Sequence, residues 1–302
     1  MSAKYLRSTP LLICLLFVAA CVTTNLDLPP VSDSASSQKS PGKIIWRDLL
    51  THDVAASKKF YGSLFGWEFE SVGTTVGLGS DSTYSLIRHN GQLIGGMIDT
   101  VALNGRDDIS QWVVLMSVSD INVATAEFAA QGGEVVTQPT DLKRRGHIAI
   151  VQDAEGALLG LLQTKDGDPL DGEPLVNEFL WDELWTTDVN NATAFYEKVG
   201  SLEAAEWDVD EDQTSSASYR LLKAGDKPRF GIMPNPLEGL APVWVSYIRV
   251  ENPADVTARV QELGGRIIVE AQSRPLGGEV AFIAGPSGAG IALQTWPLDT
   301  NN

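Results

Sequence analysis

The sequence predicts an α+β fold built from two tandem modules, each of which repeats the element order βαβββ twice. The main observation is an internal repeat. Residues of the stretch IIWRDLLTHDVAASKKFYGSLFGW, which begins at Ile44, recur in LWDELWTTDVNNATAFYEKVG, which begins at Leu180: Trp46, Asp53 and Tyr61 return as Trp181, Asp188 and Tyr196, displaced by 135 positions. QGGEVV and DAEGALLG return as LGGRII and GPSGAGIA, displaced by 132 positions. This nearly constant displacement predicts two modules, residues 43–164 and 177–296, joined by a Gly-, Pro- and Asp-rich linker over 165–176.

Each element of the first module follows from a local pattern. KIIWRDLL is apolar and predicts a strand, and THDVAASKKFYGSLFG predicts a helix that Thr51 or Asp53 caps and Gly66 ends. WEFESVG and TYSLIRHNGQLIGGMID predict strands, with a turn at Asn90–Gly91. QWVVLMSVS predicts a strand, INVATAEFAAQGG a helix, and GEVVTQP, HIAIVQD and EGALLGLLQT three further strands. The second module has the same order.

The first 20 residues predict a lipoprotein signal peptide. A positive start precedes the apolar run 11–18, which is too short to span a bilayer as a helix. VAAC resembles a bacterial lipobox, in which Cys21 takes a diacylglycerol before cleavage. An ordinary signal peptide cut after Ala-x-Ala is the alternative. Because Val22 follows the cysteine where an inner-membrane retention signal favours Asp, we expect a lipid-anchored envelope protein, in the outer membrane and facing the periplasm if the host is Gram-negative.

The segments outside the modules are polar. Residues 21–42 are rich in Ser, Pro and Asp and show no apolar period, so they predict a flexible tether, and residues 297–302 predict a C-terminal tail.

The chain has 22 basic and 39 acidic residues, a net charge of −17, which disfavours nucleic acid as a partner. Cys14 lies in the signal peptide, so the mature fold would have no thiol for catalysis or zinc binding and no disulfide. The sequence does not indicate an oligomeric state.

Repeated motifs resemble those of one superfamily. Trp-x-Asp/Glu-Leu-x-Thr-x-Asp, Phe-Tyr-x-x-Leu-Phe-Gly-Trp, Gly-Gly and Asp-x-x-Gly resemble motifs of the vicinal oxygen chelate superfamily, which includes glyoxalase I, bleomycin-resistance proteins and extradiol dioxygenases. The nearest subgroup is a set of tandem-module proteins described as glyoxalases or hydroxylases. The resemblance implies mixed sheets that curl into cups, with a ligand site inside each cup.

The resemblance also implies where metal ligands would lie. In the enzymes they occupy the first strand, seven residues before the helix Asp, and the last strand, seven residues after the Asp of Asp-x-x-Gly. Here these positions hold Trp46, Trp181, Gly160 and Ala292, none of which binds a metal ion. We therefore expect no standard metal site and no cofactor. The alternative is a displaced site for a divalent metal such as Fe, Zn, Ni or Mn.

Strand alternation predicts which side chains line the cups, because residues two apart share a face. An aromatic wall with one carboxylate is expected in each cup, and Gln163 and Gln294, one residue apart in the repeat, cannot both point inward. The candidate ligand-binding residues are Trp46, Asp48, Tyr84, His147, Trp181, Glu183, Trp185 and Tyr219. The two acids also have a structural interpretation, as partners of a nearby Arg47 or Arg88.

The function that these patterns favour is binding of a small aromatic or hydrophobic molecule in the cups, without a metal. One alternative is a glyoxalase-like lyase or dioxygenase with a displaced metal site. The other is a structural envelope lipoprotein whose cups are filled by their own side chains.

Overall fold

The computed structural model describes residues 27–72, 84–101, 110–206, 219–274 and 277–296. The predicted signal peptide, the predicted lipidation site Cys21 and the predicted tail 297–302 lie outside these residues. Within the described ranges, none of the helices combines the length and the apolar character needed to cross a membrane.

Within the described residues, the elements of the first module follow the predicted order. They are β1 (Ile44–Thr51), α1 (Val54–Phe65), β2 (Glu68–Val72), β3 (Tyr84–His89), β4 (Gln92–Asp99), β5 (Gln111–Ser117), α2 (Ile121–Ala130), β6 (Glu134–Asp141), β7 (Gly146–Gln152) and β8 (Leu158–Thr164).

The second module repeats this order. Its elements are β9 (Phe179–Thr186), α3 (Val189–Gly200), β10 (Glu203–Glu206), β11 (Arg220–Ala224), β12 (Lys227–Pro234), β13 (Val243–Arg249), α4 (Pro253–Val260), β14 (Arg266–Ser273), β15 (Glu279–Ala284) and β16 (Gly290–Gln294).

Each module forms one mixed, eight-stranded sheet. The strand orders are β2-β3-β4-β1-β5-β8-β7-β6 and β10-β11-β12-β9-β13-β16-β15-β14. The first strand of each module pairs in parallel with the fourth and antiparallel with the fifth, which joins the two βαβββ halves at the centre of the sheet. The predicted α+β fold with two tandem modules is confirmed.

Local signals set the helix ends as the sequence predicted. Asp53 caps α1, because its side chain accepts a hydrogen bond from Ala56 N, and Gly66 ends this helix in a left-handed conformation with φ of 71°. Asp188 caps α3 in the same way, since it accepts from the backbone N–H groups of Asn190 and Asn191. The repeated Asp is therefore a helix cap in both modules.

The helices lie between the two sheets and join the modules. In one buried cluster, Phe128 on α2 packs against Phe195 on α3, with ring centroids 5.1 Å apart. In the other, Phe60 on α1 packs close to Gly265, where a Cβ would come within 2.4 Å of the Phe60 ring. An ion pair between Arg47 and the buried Asp182 links the two central strands β1 and β9. The opposite face of each sheet is the inside of a cup.

Residues 27–42 lie along the first module, so the predicted flexible tether is wrong for this part of the chain. Leu28 and Val31 are buried in the apolar cluster of the first cup. The Leu28 N–H donates to Leu142 O at 3.3 Å, and the Ser40 N–H donates to the Asp168 carboxylate at 2.6 Å. The overall composition of the segment hid two apolar residues whose burial offsets the entropy of ordering.

Candidate functional site

In the first cup, an acid on the first strand accepts hydrogen bonds from a tryptophan and a tyrosine. Asp48 Oδ1 accepts from Trp46 Nε1 at 2.9 Å and from the Tyr84 hydroxyl at 2.7 Å. Trp46 Nε1 also lies 3.1 Å from the tyrosine oxygen. All three side chains are buried. Strand alternation had placed Trp46 and Asp48 on this face, and the structure agrees.

The second cup repeats this arrangement and adds donors. Glu183 is 0% exposed, and its Oε1 accepts from the Tyr219 hydroxyl at 2.9 Å. Its Oε2 accepts from Trp185 Nε1 at 3.3 Å and from the Tyr247 hydroxyl. Trp181 Nε1 donates to the Tyr219 oxygen at 3.1 Å, as its counterpart does in the first cup. The sequence predicted that Trp181, Glu183, Trp185 and Tyr219 line this cup but did not predict their mutual hydrogen bonds, and it missed Tyr247, whose counterpart in the first module is a leucine.

Two glycines make room for the tyrosine hydroxyls. A Cβ at Gly96 on β4 would lie 2.0 Å from the Tyr84 hydroxyl and 2.2 Å from Asp48 Oδ1. A Cβ at Gly231 on β12 would lie 2.0 Å from the Tyr219 hydroxyl. Each glycine pairs across the sheet with the acid of its cup. The repeated glycine is therefore required by the contact between the tyrosine and the acid.

A buried arginine completes each cup, and sequence reasoning missed both. Arg145, between β6 and β7, donates to the Tyr84 hydroxyl at 2.8 Å and lies 4.5 Å from the Trp46 ring centroid. Arg274, directly after β14, forms an ion pair with Glu183 and donates to Gln294 Oε1 at 2.6 Å. The two arginines do not occupy equivalent positions of the repeat, so the repeat carried no signal that they share a location.

The electrostatics keep the tyrosines neutral and the arginine of the second cup charged. Burial raises the pKa of Tyr84, Tyr219 and Tyr247, so at neutral pH their hydroxyls carry protons and can donate. Burial works against the charged form of Arg274, but the neighbouring Glu183 raises its pKa above the ordinary value. The arginine and the carboxylate therefore form a buried ion pair inside an aromatic wall.

Burial also affects the acid of the first cup. It raises the pKa of Asp48, and the charge of Arg145 and the bonds from Tyr84 and Trp46 oppose that shift. No ion pair within 4.0 Å joins Asp48 to Arg145 among the described residues, in contrast to the direct pair of the second cup.

The N-terminal segment occupies the interior of the first cup and leaves a cavity of about 450 Å³ between Pro29 and Pro30 and the strands β2 and β3. Leu28 and Val31 pack in the apolar interior of this cup, and Arg145 Nε donates to Pro29 O at 2.8 Å. Ion pairs hold the segment at both ends, since Asp27 pairs with Arg144 and Asp33 pairs with Arg88, each at 2.9 Å. These last two pairs are partly exposed.

The second cup is open. One cavity of about 340 Å³ lies over Trp185, Tyr247 and Phe282, and another of about 620 Å³ lies between Trp181 and the linker. Tyr219 and Arg274 line both cavities, so the ion pair stands at their boundary. These volumes are typical of sites for small organic molecules.

The structure places some of the residues that were considered for the cups elsewhere. His147 is exposed and shares the β7 face of Ala149, which packs toward the second module, so its prediction as a cup residue is wrong. Ile148 and Ile150 on the alternate face line the first cup. Of the two glutamines, Gln294 lies in the second cup, and Gln163 instead accepts from the N–H of Ile121 at the start of α2.

The residues at the expected metal-ligand positions do not fit a metal ion. On the first strands, the indole N–H of Trp46 donates a hydrogen bond to Asp48, and that of Trp181 donates to Tyr219. On the last strand of the first module, a Cβ at Gly160 would lie only 2.9 Å from the Leu115 side chain. Within the described ranges, no group of three or more His, Cys, Asp or Glu side chains could hold a metal. Among the described residues of the second cup, the carboxylate of Glu183 already contacts an arginine, whereas a hard divalent cation needs several oxygen ligands.

Comparisons with known proteins agree with this fold. Residues 43–161 match the family model for the Glyoxalase/Bleomycin resistance protein/Dioxygenase superfamily. Among solved structures, the Mn(II)-bound glyoxalase from Novosphingobium aromaticivorans is 15% identical, with a TM-score of 0.56 over 85% of this chain and 83% of that one. An extradiol ring-cleaving dioxygenase from B. fuscum is 12% identical, with a TM-score of 0.59 over 90% and 76% of the two chains. At these identities the likeness shows the fold alone.

Two curated relatives extend over both modules. "Putative glyoxylase CFP32" of Mycobacterium tuberculosis (strain CDC 1551 / Oshkosh) is 32% identical over 258 residues, which cover 84% of this chain and 94% of that protein. "Anthracycline biosynthesis protein DnrV" of Streptomyces peucetius is 28% identical over 268 residues, with 84% and 93% covered. On this evidence the chain belongs to the glyoxalase/bleomycin resistance protein/dioxygenase superfamily.

Proposed function

We propose that the second cup binds a small aromatic or hydrophobic molecule without the help of a metal ion. The observation that carries this proposal is the difference between the two cups. Residues 27–33 occupy the interior of the first cup and leave a cavity without aromatic lining beside them, whereas the second cup has two cavities with aromatic walls around the pair formed by Arg274 and Glu183.

The walls of the second cup suit a flat ligand. Trp185 and Phe282 lie with ring centroids 5.0 Å apart, and Tyr247 lines the same cavity. Aromatic side chains of this kind bury large apolar areas and stack on flat rings. Arg274 and Gln294 supply the few polar groups that would orient a carbonyl or hydroxyl of the ligand.

A glyoxalase-like lyase is the second candidate. It is favoured by the relative that is 32% identical and is named as a glyoxylase. This reaction class in the superfamily depends on a divalent metal, and the donor set of the second cup does not fit one. Elemental analysis separates the two candidates, because a stoichiometric metal that survives dialysis would contradict the metal-free proposal.

Lipid anchoring belongs to the same proposal. It rests on the lipobox-like VAAC that ends at Cys21. The lipid anchor on Cys21 would lie a few residues before residues 27–33, which occupy the first cup. Mass spectrometry of the membrane-extracted protein should show a diacylglyceryl group on this cysteine, and a Cys21→Ala protein should be released from the membrane fraction. An unmodified N-terminus would contradict the anchor and leave the ligand proposal untouched.

Binding is tested with the chain that begins at residue 22. We would titrate it with an anthracycline, the class of compound in the name of the second relative, and with smaller aromatic ketones. Trp185→Leu should weaken binding about three- to tenfold, because it removes one stacking surface. His147→Ala is the matched control, since this side chain lies on the opposite face of its sheet. Equal affinities for the wild type and Trp185→Leu, or no binding of any of these compounds, would overturn the proposal.

A further inference from the structure

Three cations from two segments of the chain converge on one carboxylate at the wall of the larger cavity. Asp171 in the linker lies 2.8 Å from Lys43 Nζ, 2.7 Å from Lys227 Nζ and 3.0 Å from Arg229 Nη1. Lys43 precedes β1 of the first module, and the other two cations lie on β12 of the second. The three positive side chains and the one carboxylate together leave a net charge of +2 at this point.

The other acids that line this cavity do not balance that excess, because each has an arginine of its own. Asp182 pairs with Arg47, Glu183 pairs with Arg274, and Glu173 pairs with Arg249. The end of the cavity near the linker is therefore a positive region on a chain whose net charge is −17.

Arg229 also has an unused donor. Its side chain is only 7% exposed, and its buried Nε has no hydrogen-bond partner among the described residues. A buried guanidinium N–H without a partner is costly, so Asp171 alone does not satisfy this side chain.

The rest of the cavity wall is mainly apolar. It is formed on one side by Phe179 and Trp181 of β9, and on the other by Leu170 and Pro174 of the linker. The cavity volume of about 620 Å³ is large enough for a ligand of two or three fused rings.

We propose that this cavity binds aromatic carboxylates, with the carboxylate held by Lys227 and Arg229 and the ring system packed against Trp181 and Phe179. The proposal rests on the proposed function and names the ligand class for the part of the second cup next to the linker. In the free protein, Asp171 occupies the position that the ligand's carboxylate takes.

A pair of nearly isosteric probes tests this assignment. 2-Naphthoate and 2-naphthamide have the same ring system, but only the first carries a negative charge at neutral pH. Isothermal titration should show that the wild type binds naphthoate about tenfold more tightly than naphthamide. That factor is expected for one charge-assisted interaction. The preference should shrink as salt is raised, because the cations are partly exposed.

Variants identify the groups responsible. Arg229→Met and the more exposed Lys227→Met should each reduce the preference for naphthoate to threefold or less, while leaving naphthamide binding unchanged. Lys223→Met on β11, outside the lining of the cavity, is the matched control. Asp171→Asn should raise the affinity for naphthoate severalfold, because it removes the internal competitor. Thermal unfolding of each variant would show that it is folded.

The outcomes separate this inference from the proposed function. Equal binding of the two probes by the wild type would overturn the carboxylate assignment and leave a binding function in place. The same conclusion would follow from a preference that survives both cation substitutions. If neither probe nor any other aromatic compound binds, the proposed function itself fails.

Discussion

Removal of one partner from the buried ion pair of the second cup should destabilise the protein. Glu183 is 0% exposed, and the Arg274 side chain is 9% exposed. Breaking a buried pair by removing one partner typically costs about 3–5 kcal/mol, because a charge is left without compensation. In Arg274→Met, the carboxylate keeps the bonds from Tyr219, Tyr247 and Trp185, so we expect the lower value, about 3 kcal/mol.

A double-mutant cycle isolates the contribution of the pair. Glu183→Gln alone should also be destabilising, because it leaves Arg274 buried without its counter-charge. The double variant Arg274→Met/Glu183→Gln should be at least about 2 kcal/mol more stable than the sum of the two losses predicts. Urea unfolding at neutral pH, followed by tryptophan fluorescence, gives the free energy of unfolding of the wild type and of each of the three variants.

A matched control sets the scale. Arg144→Met removes an exposed pair with Asp27, whose two side chains are 57% and 52% exposed, and it should cost no more than about 1 kcal/mol. If the losses for Arg274 and Glu183 add to within about 0.5 kcal/mol, the two groups are not energetically coupled and the description of the second cup as an ion-pair site is refuted.

Three further predictions follow from the structure. Deleting residues 22–34 should open the first cup and raise the ligand stoichiometry measured by titration from about one to about two, and an unchanged stoichiometry would show that these residues do not close it. Gly231→Ala should cost about 1–3 kcal/mol in urea unfolding, because the added Cβ would lie 2.0 Å from the Tyr219 hydroxyl. Gly172→Ala, which would meet no atom within 4 Å, should have little effect, and equal losses would argue against the close contact. Burial of Asp171 by itself would raise the pKa of its carboxyl group. Hydrogen bonds from Lys227 and Lys43 outweigh burial and hold this pKa below its ordinary value of 3.8. Because the unfolded chain then binds the proton more readily, this contribution to stability is present above pH 3.8 and is lost as the pH falls below it. Asp171→Asn should therefore flatten the fall in unfolding midpoint below pH 4, and an unaltered acid profile would contradict the stabilising role of these bonds.

The fold was predictable because its signals are local and are given twice. Each of these signals affects only residues close to it in the sequence. They are the aspartates that cap α1 and α3, the glycine that ends α1, and the Asn90–Gly91 turn. The repeat then identified the same elements in both modules. The segment 27–42 was not predictable in this way, because Leu28 and Val31 are buried by strands that lie far away in the sequence.

The candidate site was predictable only where it follows the strand period. Alternation placed Trp46, Asp48, Trp181 and Glu183 inside the cups, and the repeat marked the two tyrosines. Their role as ligand-binding residues stays a prediction. The arginines could not be found in this way, because they lie outside regular strands and reach the acids through tertiary packing. His147 was expected in the cup because the resemblance implies that the strand before Asp-x-x-Gly contributes to the site, and the histidine lies on the other face of that strand.

The differences between the modules distinguish a filled cup from an open one. Three inward positions that are leucines in the first cup, Leu50, Leu115 and Leu162, are Trp185, Tyr247 and Gln294 at the equivalent positions of the second. All three leucines belong to the cluster that packs on the N-terminal segment. Their counterparts lie around the ion pair and the cavities, where a tryptophan and a tyrosine donate to Glu183 and a glutamine accepts from Arg274. These three polar contacts satisfy a buried ion pair that has no direct counterpart among the described residues of the first cup. This difference supports the proposed division of roles, in which the first cup is a core that contacts the N-terminal segment and the second cup would bind the ligand.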